Sequence, residues 1–336
     1  MFDLTANLHS LQFEAGLTDE EKKITYLRSR CAAQTACSCA HALFYCKLAH
    51  SFRTHLLKLT DSSAGGGTQR ELTQLTQSEM TQRLTQRELT VGIIGGGHLG
   101  EQLARALQKH TCITPAHIKV SSRRPEALEE LSLMGIECFY DNQRLASWAE
   151  VLFLCCLPCH LSQVCDDIRA HLPRHCVVYS FISTVPVKRL SQLLGHTSIL
   201  RPAYEFVSGD AEWQGFPSVM AALKDVDVIA ASCPLSMSCG MRLGTGWLPA
   251  VLYSLLNMCN SVMPSEGALD LLNQVLGLQS DSDLSIQPFI SQSYASTQSP
   301  PSVWLCVCVC CVYVCLCRPL PWISLVDVQS RDTPLS

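Results

Sequence analysis

Between residues 91 and 232, short apolar runs alternate with stretches of helical spacing. The runs fall at 91–95, 117–121, 135–140, 150–157, 176–183 and 197–201, with a further candidate at 226–232. The intervening stretches predict helices near 98–110, 125–134, 142–148, 160–171 and 186–194. The runs are continuous Val, Ile, Leu, Phe and Cys rather than alternating apolar and polar, which suits strands buried on both faces. Strands of that kind in strand–helix–strand order predict an α/β fold: a doubly wound, mainly parallel sheet covered by helices on both sides.

The flanks read differently. Residues 1–60 predict one or two helices packed on the main domain. Thr18-Asp19-Glu20-Glu21 forms a capping box, followed by apolar Ile24, Leu27, Cys31, Ala40, Leu43, Phe44 and Leu48. Residues 62–90 open on Ser62-Ser63-Ala64-Gly65-Gly66-Gly67 and continue as a Thr-Gln-Arg-Glu-Leu repeat too poor in leucine for a firm apolar face, a low-complexity linker. Residues 240–278 hold helix candidates at Leu248–Met258 and Ala268–Leu276, and 279–302 are Ser/Gln/Asp/Pro-rich, as in disordered chains. The Val-Cys alternation over 303–317 falls short of the roughly 20 apolar residues of a membrane span and lacks the paired cysteines of a zinc site. It is what a GT-dinucleotide repeat encodes, and we assign it no function.

Composition narrows the class. The chain has 336 residues, a net charge of −4 and only 16% charged residues, so nucleic acid is not the expected partner. Met1-Phe2-Asp3-Leu4 offers neither a basic n-region nor an apolar h-region, so no secretory signal is expected. The 20 cysteines are spread through apolar strands. They read as reduced thiols of a cytoplasmic protein rather than as a disulfide scaffold.

The chemistry concentrates at the first strand of the alternating region. Val91-Gly92-Ile93-Ile94 runs into Gly95-x-Gly97-x-x-Gly100, and a helix follows. A dinucleotide pyrophosphate needs that order. The first glycine permits a tight turn, the second a close backbone approach, and the third close packing of helix on strand. The phosphates then meet the unpaired N–H groups of the helix start. The second strand ends in Ser121-Ser122-Arg123-Arg124-Pro125. An acid at that tip would bind the ribose 2′-hydroxyl of NAD; hydroxyls and guanidiniums instead suit the 2′-phosphate of NADP.

Val91–Gly100, Ser121–Arg124, Val151–Pro158 and Val177–Val185 follow one another in an order that resembles the NADP-binding domain of pyrroline-5-carboxylate reductases. The resemblance covers about residues 88–235 and points to a Rossmann-like domain. It implies that Gly95, Gly97, His98, Leu99 and Gly100 line the pyrophosphate and that Ser122, Arg123 and Arg124 hold the 2′-phosphate. It further implies that the strand end Cys155, Cys156, Leu157 and Pro158 runs beside the nicotinamide ribose, with Ser183 and Thr184 in the next turn. The departures are Leu157 where the reductases carry Lys, Ile182-Ser183-Thr184 in place of Ala-Ala-Gly, and no match to the substrate motif of the reductases' C-terminal helical domain. That domain also builds the reductases' dimer, so a homodimer is expected only where such a domain is complete.

The chemistry implied is hydride transfer from NADPH to a C=N or C=O bond of a small metabolite. The alternative is an NADP-binding sensor or interaction module with impaired catalysis. No catalytic residue is assigned. Tyr204 and Glu205, at a strand's C-terminal end, read either as a proton donor and a cation holder or as the start of a polar loop. Cys155, Cys156 and Cys159 read as strand packing, because no flanking cation lowers their pKa. His160 reads as the start of a helix. The expected layout is a helical extension over 1–61, a linker over 62–90, the NADP-binding domain over 91–235, a partial helical segment over 236–278 and a low-complexity tail over 279–336.

Overall fold

The computed structural model describes residues 16–20, 27–63, 88–206, 241–244, 246–259, 267–268, 271–272, 275 and 324–330. The Thr-Gln-Arg repeat, the candidate strand at 226–232 and the Val-Cys run lie outside the described residues. Six parallel strands form the main sheet in the order β3-β2-β1-β4-β5-β6. They are β1 (Val91–Ile94), β2 (Ile118–Ser121), β3 (Glu137–Phe139), β4 (Val151–Leu154), β5 (Val177–Ser180) and β6 (Ile199–Leu200). β1, β4 and β5 are buried along their whole length, which is why their sequences read as unbroken apolar runs.

The two faces are covered by different means. On one, α4 (Asn142–Trp148), α5 (Leu161–Ile168) and α6 (Val187–Leu194) bury Leu145, Leu161, Ile168 and Leu190 against Ile94, Leu152, Leu154, Val178 and Ile199. The other face carries α2 (His98–His110) and the short α3 (Glu129–Leu133), the helices of the β1–β2–β3 half. Its β4–β5 half receives no crossover helix from the sheet itself. Phe153 and Tyr179 there are fully buried all the same, because α1 (Leu27–Ser63) and α7 (Trp247–Cys259) close over them. α1 is one continuous helix, and its residues Ala42, Tyr45, Cys46, Ala49, Phe52 and Leu56 have no exposed surface. Tyr45 packs on Tyr179 with ring centroids 6.0 Å apart, and Phe153 lies 5.1 Å from Tyr179.

The structure differs from the sequence reading at three places. Pro125–Leu128 winds as a 3-10 turn before α3, so the helix expected over 125–134 divides. Leu89 and Thr90, assigned above to the low-complexity segment, are buried, and Thr90 bonds the Glu150 carboxylate through N–H (3.1 Å) and hydroxyl (3.2 Å). Tyr204–Phe206 is neither a strand end nor a loop start: it forms β7, antiparallel to β8 (Met241–Leu243). α8 (Leu325–Ser330) finishes the edge of β6. There Gln329 mimics a neighbouring strand by donating to Ile199 O (2.6 Å) and accepting from Arg201 N–H (3.0 Å).

Candidate functional site

The loop between β1 and α2 carries the glycine motif. Gly95 has φ +107°, a region that side chains rarely adopt, and its N–H donates to Ser121 O (2.9 Å). A Cβ on Gly100 would lie 1.9 Å from the Gly95 carbonyl oxygen, so only glycine lets α2 approach the turn this closely. Gly97 stands in open space: a Cβ there would meet no atom within 4 Å. It caps α2 with no side-chain hydrogen bond, and His98 beside it is exposed. The first N–H groups of α2 therefore face an open cradle, and an anion is the group that complements them. That geometry fits the pyrophosphate of a dinucleotide. Leu99 is half-buried behind the loop and packs on the core.

At the tip of β2 the structure separates the two serines. Ser121 is 1% exposed and its hydroxyl is committed, donating to Asn142 Oδ1 (2.8 Å) and accepting from Asp141 N–H (3.2 Å). Only Ser122 remains for a 2′-phosphate, so the two hydroxyls read from the sequence reduce to one. Ser122 Oγ accepts from Arg124 N–H at 3.3 Å, and the side chains of Arg123 and Arg124 are exposed. Asp141 is occupied capping α4 through Arg144 N–H (2.9 Å). No carboxylate among the described residues pairs with either arginine. Arg123 Nη2 instead donates to His160 Nε2 (3.2 Å), so the loops after β2 and β4 meet beyond the glycine loop.

The β4 end continues the site. Cys155 N–H donates to Ile94 O (2.9 Å), which holds this turn against the glycine loop. Leu157 is 64% exposed and starts a 3-10 turn, Pro158–His160, that leads into α5. Burial pushes the Cys155 thiol well up and Cys156 up to about 11. Neither is a thiolate at neutral pH, which agrees with the packing reading of Cys155 and Cys156; Cys159, read the same way, is instead exposed in the Pro158–His160 turn, beyond the end of β4. In the next turn Ser183 and Thr184 are exposed, whereas Ile182 is only 4% exposed and packs into the core. Ile182, bulkier than the alanine the reductases carry at this turn, thus places its side chain in the core.

Tyr204 is committed elsewhere. Its hydroxyl lies 2.7 Å from Nδ1 of buried His41 on α1, with the two rings stacked at 5.6 Å and Trp247 5.4 Å from the imidazole. The side chain of Glu205 lies outside the described residues. Sequence reasoning missed His41, Asn142 and the next-strand residue Arg201, whose Nη1 donates to Ser183 O (2.8 Å). Only Arg201 left a signal: a cation directly after a buried apolar run.

The chain is similar to several known proteins. Residues 90–181 match the family described as NADP oxidoreductase coenzyme F420-dependent. The chain is 37% identical to NADP-dependent oxidoreductase domain-containing protein 1 of Mus musculus over 347 residues, 99% of this chain and 88% of that protein. It is 36% identical to the pyrroline-5-carboxylate reductase of Corynebacterium melassecola over 84 residues, 25% of this chain and 31% of the reductase. Among solved structures, the pyrroline-5-carboxylate reductase of Coxiella burnetii aligns over 66% of this chain and 90% of its own, at 18% identity and a TM-score of 0.33.

Proposed function

Because this chain belongs to the family of NADP-dependent oxidoreductase domain-containing protein 1, we propose that it binds NADPH across the C-terminal edge of the sheet and reduces a C=N or C=O bond of a small metabolite, as a pyrroline-5-carboxylate reductase does. The observation that carries the reading is the β2 tip. Ser122, whose hydroxyl accepts from Arg124 N–H, and two arginines that pair with no carboxylate among the described residues stand beside the open helix start at Gly97. Gly95, Gly97, His98, Leu99 and Gly100 form the pyrophosphate cradle, and Ser122, Arg123 and Arg124 take the 2′-phosphate. Cys156, Leu157, Pro158 and Ser183 border the nicotinamide end. The bound cofactor supplies the hydride; the chain positions it and supplies charge. The free thiols among the described cysteines support a cytoplasmic setting, and no helix among the described residues is long and apolar enough to cross a membrane.

Titration of the full chain by calorimetry tests the cofactor. NADPH binds more tightly than NADH, and changing Arg123 and Arg124 together to Ala weakens NADPH about 10- to 100-fold while NADH barely changes. That range assigns each exposed arginine about 0.7–1.4 kcal/mol, between an exposed ion pair and a charge-assisted hydrogen bond. Equal binding of the two nucleotides refutes it. A second reading, binding without turnover, is favoured by the engagement of the Tyr204 hydroxyl with His41, which removes that proton donor. NADPH oxidation with pyrroline-5-carboxylate decides between the two.

A further inference from the structure

The loop after β6 carries a charge that the described residues leave uncompensated. Arg201 follows Leu200 at the C-terminal end of β6 and is half-buried. Its backbone N–H is taken by Gln329 and its Nη1 by Ser183 O, while Nε is buried with no hydrogen-bond partner among the described residues. No carboxylate among them lies within 4.0 Å of it, whereas Arg53, Arg105, Arg144 and Lys119 each meet one. Burial lowers its pKa, the mark of a cation partly stripped of water. Taking a guanidinium out of water is costly unless an anion compensates it.

The position of Arg201 says which anion. One edge of the fork is fixed on Ser183, in the turn that borders the nicotinamide end, and ligands of such sheets lie outside the C-terminal ends of the strands. A planar guanidinium matches a carboxylate bidentately. The substrate motif that the resembling reductases carry on their helical domain has no match in this chain. Resting on the oxidoreductase reading above, we propose that Arg201 is the carboxylate seat of the substrate site. The sheet domain itself then supplies the anchor, and the substrate is a small imino or keto acid with its C=N or C=O group held toward the nicotinamide.

The test uses the full chain saturated with NADP+ and two probes, L-proline and L-prolinamide, which share a ring and differ in the carboxylate. Calorimetry on the wild-type protein gives L-proline at least about a 10-fold tighter affinity than L-prolinamide. In R201Q that ratio falls to near one. In R201K part of it survives, because the charge remains and the fork does not. The ratio in the wild-type protein needs no variant, so a folding defect in R201Q leaves the proposal falsifiable. No binding of L-proline, a wild-type ratio near one, or a ratio unchanged in R201Q overturns the seat; a carboxylate from residues 207–240 neutralising Arg201 would give the last of these. Failure of the wild-type protein to bind NADP+ instead overturns the oxidoreductase reading, and the seat with it.

Discussion

Two glycines three residues apart separate binding from stability. At Gly97 an added Cβ meets nothing within 4 Å, and φ is −76°, which any residue adopts. Gly97→Ala gains about 0.4–1 kcal/mol by restricting the unfolded chain. It loses a similar few tenths to 1 kcal/mol because Ala caps helices worse than Gly. The net change in stability is about zero. The methyl group nevertheless fills the cradle in which the pyrophosphate would approach the backbone, so NADPH affinity falls about 10-fold or more, ~1.4 kcal/mol. At Gly100 the added Cβ lies 1.9 Å from Gly95 O, 3.1 Å from Gly95 C and 3.3 Å from Ile93 Cγ2. The first two are backbone atoms and cannot rotate away, so β1 and α2 must separate. Overpacking of this kind costs about 1–3 kcal/mol, and the rigidity of the neighbours puts Gly100→Ala at the upper end. Urea unfolding and NADPH calorimetry on both variants read the two effects. NADPH binding by Gly97→Ala that matches wild type refutes the cradle, and unchanged stability in Gly100→Ala refutes the packing argument.

Other perturbations follow from the same contacts. Arg53, 2% exposed on α1, pairs with Glu150 ahead of β4. Arg53→Ala costs about 3 kcal/mol in urea unfolding, the low end for a broken buried pair, because Glu150 keeps its hydrogen bonds to Thr90. A loss below about 1 kcal/mol would show that α1 is not seated on the sheet as described. His196 is buried, donates through Nε2 to Cys176 O (2.7 Å), and has its pKa lowered by burial. The unfolded chain therefore takes up the proton first: the contribution is present above about pH 6.5 and is lost as pH falls below it. His50, lowered by the same cause, adds to the loss. Thermal unfolding between pH 7.5 and 5.5 shows a smaller drop for His196→Gln than for wild type, since Gln can keep the hydrogen bond and does not titrate; identical drops contradict the assignment.

Much of the site was legible in the chain because its signals are short-range. A strand, a tight turn and a helix start fit within Val91–His110, and burial on both faces prints β1, β4 and β5 as apolar runs. The tip Ser122-Arg123-Arg124 is equally local: the residue types proposed for a 2′-phosphate follow their strand directly. What the sequence could not decide depends on partners far away. Ser121 and Ser122 are alike until Asn142, 21 residues beyond Ser121, claims one of them. Tyr204 is a free phenol on paper and a partner of His41, 163 residues earlier, in the fold. The segment of α1 reads only as one or two helices packed on the main domain, yet α1 supplies the cover that the crossover connections never place over Phe153 and Tyr179. Arg201 acquires meaning only when β6 sets it against Ser183. Local geometry thus determined the cofactor cradle, whereas burial, a property of the whole chain, decided which of the polar groups around it remain free to act.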